Sequence, residues 1–184
     1  MLRTILLVLL IFVGIFLVPR LFSGPRRTPS MGSAAPGFTL PSQQGDLVRL
    51  KDFRGSWVVL YFYPKDQTPG CTREAHNFQI DQSKYAERHA IVLGVSVDSV
   101  DSHKKFCAKE GLNFKLLADT DGQVSKAYDS LTNLGVVKFA ARHTFLIDPN
   151  GKIAKAYTSV DPARHSEEVL TELDELQRQS SSVN

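Results

Sequence analysis

The sequence predicts an α/β protein, with helices packed on the faces of a central mixed β-sheet. One continuous apolar run, WVVLYFY (Trp57 to Tyr63), and a second, largely apolar one, AIVLGVSV (Ala90 to Val97), have the character of strands buried on both faces. Helix-patterned segments alternate with them, and the chain closes on a strand hairpin followed by a helix. Such an order packs into layers around one sheet.

The first element stands apart from that domain. Thr4 to Phe22 is nearly all apolar and close to the length that crosses a bilayer, with Arg3 before it. A short basic start before an apolar run also describes a secretory signal, but Ser23 and Gly24 offer only a weak cleavage pattern. The expectation is a single hydrophobic helix over residues 1–22 that anchors the chain in a membrane, with a cleaved signal as the alternative. Arg20, Arg26 and Arg27 beyond the span argue for a cytoplasmic body, whereas a signal-anchor places it outside. The side stays open, with the extracytoplasmic one preferred. Residues 23–34, rich in Pro, Gly, Ser and Arg, read as a flexible linker. The globular domain is then 35–178, and 179–184 a disordered tail.

Within the domain, Phe38 to Leu40 and Leu47 to Leu50 flank the turn PSQQGD as a hairpin. A helical pattern runs from Cys71 to Arg88, and a second helix from Ser102 to Glu110 stops at Gly111. Phe114 to Ala118 reads as a short strand, followed by a turn at DTDG and a small helix from Val124 to Tyr128. HTFLID and KIAKAY, joined by PNG, form a hairpin. Val169, Leu170, Leu173 and Leu176 then mark a helical stripe between Glu167 and Gln179. Thioredoxin-like folds have this order of elements.

Charge and cysteine usage narrow the function. The chain of 184 residues has a net charge of +3, but residues 1–30 hold four arginines and no acid. The remainder carries 18 basic and 19 acidic residues, so no basic surface for nucleic acid is indicated. Two cysteines are too few for a disulfide scaffold, and the five histidines are too scattered to complete a zinc site. With no CxxC pair present, the cysteines serve either packing or redox chemistry.

Cys71 favours the second role. It follows a buried strand, a loop and Pro69-Gly70, in what should be the first turn of a helix. Free backbone N–H groups and the positive end of the helix dipole stabilise an anion there. The thiolate is such an anion, and it is the reactive form of cysteine. A buried, inert cysteine is the common alternative, but it accounts poorly for Pro, Thr and Pro-Gly directly in front of the thiol.

Pro64, Thr68 and Cys71 spell PxxxTxxC. Together with FYPKDQTPGCTREA and RHTFLIDPNGKI, this resembles the peroxiredoxins, most closely their PrxQ branch, the bacterioferritin comigratory proteins. The similarity runs from about Ala35 to Leu176. It implies that Cys71 is the peroxidatic cysteine, that Thr68 hydrogen-bonds the peroxide, and that Pro64 shields the thiolate from water. Arg142 would stabilise the thiolate and polarise the peroxide, and Glu74 would orient Arg142. Singly, Arg142 reads as a strand-edge charge and Glu74 as a helix-start acid. The implied activity reduces hydrogen peroxide and organic hydroperoxides without metal or organic cofactor, in a monomeric catalytic domain re-reduced by thioredoxin or a similar dithiol.

One position departs from the family pattern. Many PrxQ proteins carry the resolving cysteine five residues after the first, where this chain has His76. A second PrxQ subgroup has it in the later helix that here contains Cys107, which makes Cys107 the implied resolver. The alternative is a one-cysteine enzyme served by an external thiol, with Cys107 packing beside Phe106. Thiols on two different helices are expected to lie too far apart for a disulfide until a helix unwinds locally. His103, one turn before Cys107, and His76 are expected at the surface. The GGLG and C-terminal YF elements that slow such unwinding in sensitive peroxiredoxins are absent from the sequence, so easy unwinding is expected. A thiol–disulfide exchanger would need CxxC. A membrane-tethered redox sensor using the same two cysteines is the rival outside enzymology.

Overall fold

A computed structural model describes residues 28–181. Two short antiparallel strands, β1 (Thr39–Pro41) and β2 (Leu47–Arg49), open the fold as the expected hairpin, with Leu40 opposite Val48. The two apolar runs become β3 (Trp57–Phe62) and β4 (Ala90–Ser96), which pair in parallel. Helices α1 (Pro69–Ile80) and α2 (Gln82–Glu87) connect them. After β4 come α3 (Val100–Glu110), β5 (Lys115–Ala118) and α4 (Gln123–Ala127), then the small hairpin β6 (Leu131–Asn133) and β7 (Lys138–Ala140). Strands β8 (Thr144–Ile147) and β9 (Ile153–Tyr157) and helix α5 (His165–Ser181) complete the chain.

The main sheet has the order β5-β4-β3-β8-β9. Its first three strands are parallel, β8 runs antiparallel to β3, and β9 runs antiparallel to β8, so the sheet is mixed as expected. Period-two alternation along β3 builds both cores. Trp57, Val59, Tyr61 and Tyr63 enter one with Cys71, Phe78, Phe106, Cys107 and Val169, while Val58, Leu60 and Phe62 enter the other with Leu40, Val48 and Tyr128. The helices that carry the two cysteines therefore share one face of the sheet. Gly94, opposite Tyr61 across β3 and β4, lets that layer close. A Cβ there would stand 2.6 Å from the Leu116 side chain and 2.8 Å from the Tyr61 phenol.

The structure corrects the sequence reading in several places. The expected single helix from Cys71 to Arg88 breaks at Asp81, whose φ of −92° and ψ of 8° turn the chain into α2. Asp81 accepts hydrogen bonds from Lys84 Nζ and Ser166 Oγ, both at 2.7 Å, so a tertiary contact from α5 holds the break. The β6–β7 hairpin had no sequence signal strong enough to announce it. The end of the expected linker is part of the fold: Gly32 N–H donates to the Ile153 carbonyl at 2.8 Å, and Ala34 bridges to Lys152. Helix α5 runs to Ser181, into the residues expected to form a tail. The expected membrane anchor falls on residues 1–22, outside the described residues, among which no helix is long and apolar enough to cross a membrane.

Candidate active site

Local chemistry starts α1 immediately before the thiol. Thr68, extended at φ −83° and ψ 148°, precedes Pro69 at the first helical position, where a missing N–H costs nothing. Thr72 N–H makes the first helical bond, to the Thr68 carbonyl at 2.8 Å, so Gly70 and Cys71 lie in the turn whose N–H groups have no intrahelical acceptor. Cys71 is buried, 1% exposed, at the edge of the aromatic core. A thiolate there is shielded from bulk water and faces the positive end of the helix.

The fold brings Arg142 to it from the segment before β8. Arg142 Nη2 donates to Cys71 Sγ at 3.2 Å, and its Nη1 pairs with Glu74 Oε2. Burial works to lower the arginine's pKa, but the charge of Glu74 and the bond to Cys71 hold it above its ordinary value. The guanidinium is thus a permanent cation against the sulfur. The Thr68 hydroxyl, half-buried, donates to the Lys65 carbonyl at 3.1 Å. Pro64 is half-buried and lines a groove of about 440 Å³ with Lys65, Val97, Asp98, Val137, Lys138 and Phe139. Of the residues singled out, the structure joins Cys71, Arg142 and Glu74 in direct contact, with Pro64 and Thr68 on the loop in front.

Cys107 lies on α3, buried and free, in the same core as Cys71. Burial, and then the charge of Asp66, push its thiol up to about 11. His76 is at the surface as expected and pairs with Glu110 at 2.9 Å, linking α1 to the end of α3.

His103 contradicts its expectation of a surface site. It is fully buried, and its Nδ1 lies 2.9 Å from Asp66 Oδ2 and 3.3 Å from the Tyr63 hydroxyl. Tyr63 O–H donates to Asp66 Oδ1 at 2.7 Å, and Ser102 O–H to Asp66 Oδ2 at 2.7 Å. Burial alone would raise the carboxyl of Asp66, but His103, Ser102 and Tyr63 together hold it below its ordinary value. This cluster fastens the loop before Cys71 to the helix of Cys107. A second residue missed by sequence reasoning is His165, whose Nδ1 lies 2.8 Å from Glu74 Oε1. A lone histidine in DPARHSEE carries no spacing signal, because its partner is 91 residues away.

Comparison with known proteins places this geometry. The AhpC/TSA family model matches residues 31–156. The chain is 39% identical over 153 residues to peroxiredoxin Bcp of Bacillus subtilis, covering 81% of this chain and 98% of that protein. The chain belongs to the AhpC/TSA family, in its Bcp/PrxQ branch of peroxiredoxins. Chloroplastic peroxiredoxin Q of Sedum lineare is 40% identical, with 79% of this chain and 78% of that one covered. Among solved structures, a PrxQ variant of Xylella fastidiosa superposes with a TM-score of 0.77 at 36% identity, over 82% of this chain and 99% of that one. The fold is therefore the thioredoxin-like fold of peroxiredoxins, and the protein is a thiol peroxidase. Two solved cysteine-to-serine variants of Xanthomonas campestris peroxiredoxin Q alter positions as far apart in that chain as Cys71 and Cys107 are here.

Proposed function

We propose that Cys71 is the peroxidatic nucleophile and Cys107 its resolving partner, in an enzyme that reduces hydrogen peroxide and organic hydroperoxides. The observation that carries this reading is the buried sulfur at the first turn of α1 with Arg142 Nη2 at 3.2 Å. The Cys71 thiolate attacks one peroxide oxygen in line. The O–O bond breaks, the second oxygen takes a proton, and water or an alcohol leaves. Arg142, Thr68 and the Cys71 N–H stabilise the charge that moves onto that oxygen. Pro64 screens the thiolate, and Glu74 aims Arg142. Cys71 becomes a sulfenic acid, and the Cys107 thiolate attacks its sulfur. The S–S bond forms as the S–O bond breaks, and the hydroxide leaves as water with the proton that Cys107 gave up. A thioredoxin-type dithiol then restores both thiols. Residues 4–22 hold the chain in a membrane, with the domain on the extracytoplasmic side; their apolar character and length support this part.

The test is stoichiometric. One equivalent of hydrogen peroxide should disappear while the reduced protein loses two hydrogens through a Cys71–Cys107 link, read by intact mass and peptide mapping. A lasting sulfenate or thiol adduct at Cys71 with Cys107 untouched would make this a one-cysteine enzyme. Peroxide surviving beside unmodified Cys71 would remove Cys71 from the reaction.

A further inference from the structure

We propose that His165 is a positioning residue for the Cys71–Arg142 pair, acting through Glu74; this rests on the reading of Cys71 and Arg142 given above. Four side chains form an unbroken chain of contacts. Arg142 joins Cys71 to Glu74 Oε2, and Glu74 Oε1 meets His165 Nδ1 at 2.8 Å. Glu74 is 1% exposed and His165 fully buried, so neither contact has water as a substitute. A glutamate carboxylate turns easily about its terminal torsion. Held by Arg142 alone, it would swing and carry the guanidinium off the sulfur. A donor on each oxygen fixes its plane, and with it the direction of Arg142.

The surroundings decide which form of His165 does this. Its ring packs edge-to-face on Phe78 at 5.2 Å and on Tyr157 at 5.9 Å, and its Nε2 has no hydrogen-bond partner among the described residues. A carboxylate can only accept, so Nδ1 carries the proton and Nε2 is a bare lone pair. An imidazolium would bury a second N–H without an acceptor and compete with Arg142 for Glu74. The ring cannot withdraw, because the start of α5 is tied to α1 and α2. Asn77 Nδ2 donates to the Pro162 and Ala163 carbonyls at 3.2 and 2.9 Å, and the Tyr85 hydroxyl to the Ser166 carbonyl at 2.9 Å.

Two variants of the full-length protein separate this role from packing. His165→Phe keeps a ring but removes the donor; His165→Asn places an amide N–H where Nδ1 stands. Sulfenic acid formation at Cys71 is followed by rapid quench and intact mass after mixing with hydrogen peroxide. His165→Phe should slow it about tenfold to a hundredfold, the usual loss when a group orienting a reactive ligand is removed, whereas His165→Asn should stay within about threefold of the parent. Parental speed in His165→Phe, or an equal loss in both variants, overturns the proposal. Should the variants fold poorly, nitrogen NMR of the unmodified protein decides instead: the Nδ1–H tautomer at His165 supports the proposal, and Nε2–H overturns it. Arg142→Gln serves as the control for the underlying reading. If it too reacts at parental speed, the Cys71–Arg142 assignment fails; if it is slow while His165→Phe is fast, only the role of His165 fails.

Discussion

Arg142 owes its effect on Cys71 to where its partners are. A guanidinium on a solvated strand edge would be screened, but this one is 19% exposed and locked to a carboxylate whose side chain is fully buried. Removing it takes away the donor at the Cys71 sulfur and leaves Glu74 buried with only His165. Arg142→Gln should therefore lower the rate of Cys71 oxidation by about 10²- to 10³-fold. It should also destabilise the fold by about 3 kcal/mol, because one member of a buried pair is lost; stopped-flow kinetics and urea unfolding check the two effects. Cys107 has the opposite need. Its burial, and then Asp66, raise the thiol from an ordinary 9.0 to about 11, so the resting fold keeps it neutral and unreactive. Between those values the unfolded chain has released a proton that the folded chain retains, and stability must fall as pH rises through that window. Cys107→Ser should flatten the fall relative to the parent protein in urea midpoints from pH 8 to 11. Parallel curves would mean that the fold does not hold the thiol neutral.

Helix α1 is fastened very differently at its two ends. Its first turn has a proline, a glycine and no side-chain cap. From Glu74 onward, His165, the Pro162 and Ala163 carbonyls bound by Asn77, and Ser166 against Asp81 tie it to α5. Both cysteines are free, each in its own helix, and a disulfide requires Cα atoms within roughly 7 Å of each other. The first turn is the part of α1 that can leave most cheaply, whereas α3 is held by Ser102 and His103 to Asp66. Hydrogen exchange should then show residues 72–74 losing protection in the oxidised protein while residues 77–80 keep theirs. Equal loss along the whole of α1 would mean that the contacts to α5 do not confine the unwinding.

At the scale of the whole molecule, the sheet is a platform with the chemistry on one face. Tyr61 stacks at 5.4 Å on Tyr63 and at 4.8 Å on Phe78, giving α1 a rigid aromatic floor. The core on the opposite face, around Phe62, Tyr128 and Phe145, is separate from the cysteines. Only five residues, 23–27, separate the end of the apolar stretch at Phe22 from the first described residue, Thr28, whose hydroxyl donates to Asp129 at 2.9 Å. An anchored enzyme would thus work close to the bilayer surface. The full-length protein should stay with membranes after an alkaline carbonate wash, and a chain lacking residues 1–22 should be released with an unchanged rate toward hydrogen peroxide. Release of the full-length protein by the wash would rule out the anchor.

By itself the sequence determined the strands of the main sheet, the α/β class and the place of Cys71 in the first turn of a helix, because these rest on short-range signals. Trp57 to Phe62 is apolar throughout, Ala90 to Val95 nearly so, and Thr68 followed by Pro69 is a local signal for the start of a helix. Pro64, Thr68, Cys71, Glu74 and Arg142 were legible as a motif. What surrounds them was not. His165 reaches Glu74 across 91 residues and His103 reaches Asp66 across 37, so no local pattern distinguishes either from a solvated histidine. The β6–β7 hairpin, with three residues per strand, and the break at Asp81 depend on contacts made only after packing. Tertiary structure decided which histidines are buried against carboxylates, because burial and charge pairing belong to the assembled chain and not to its segments.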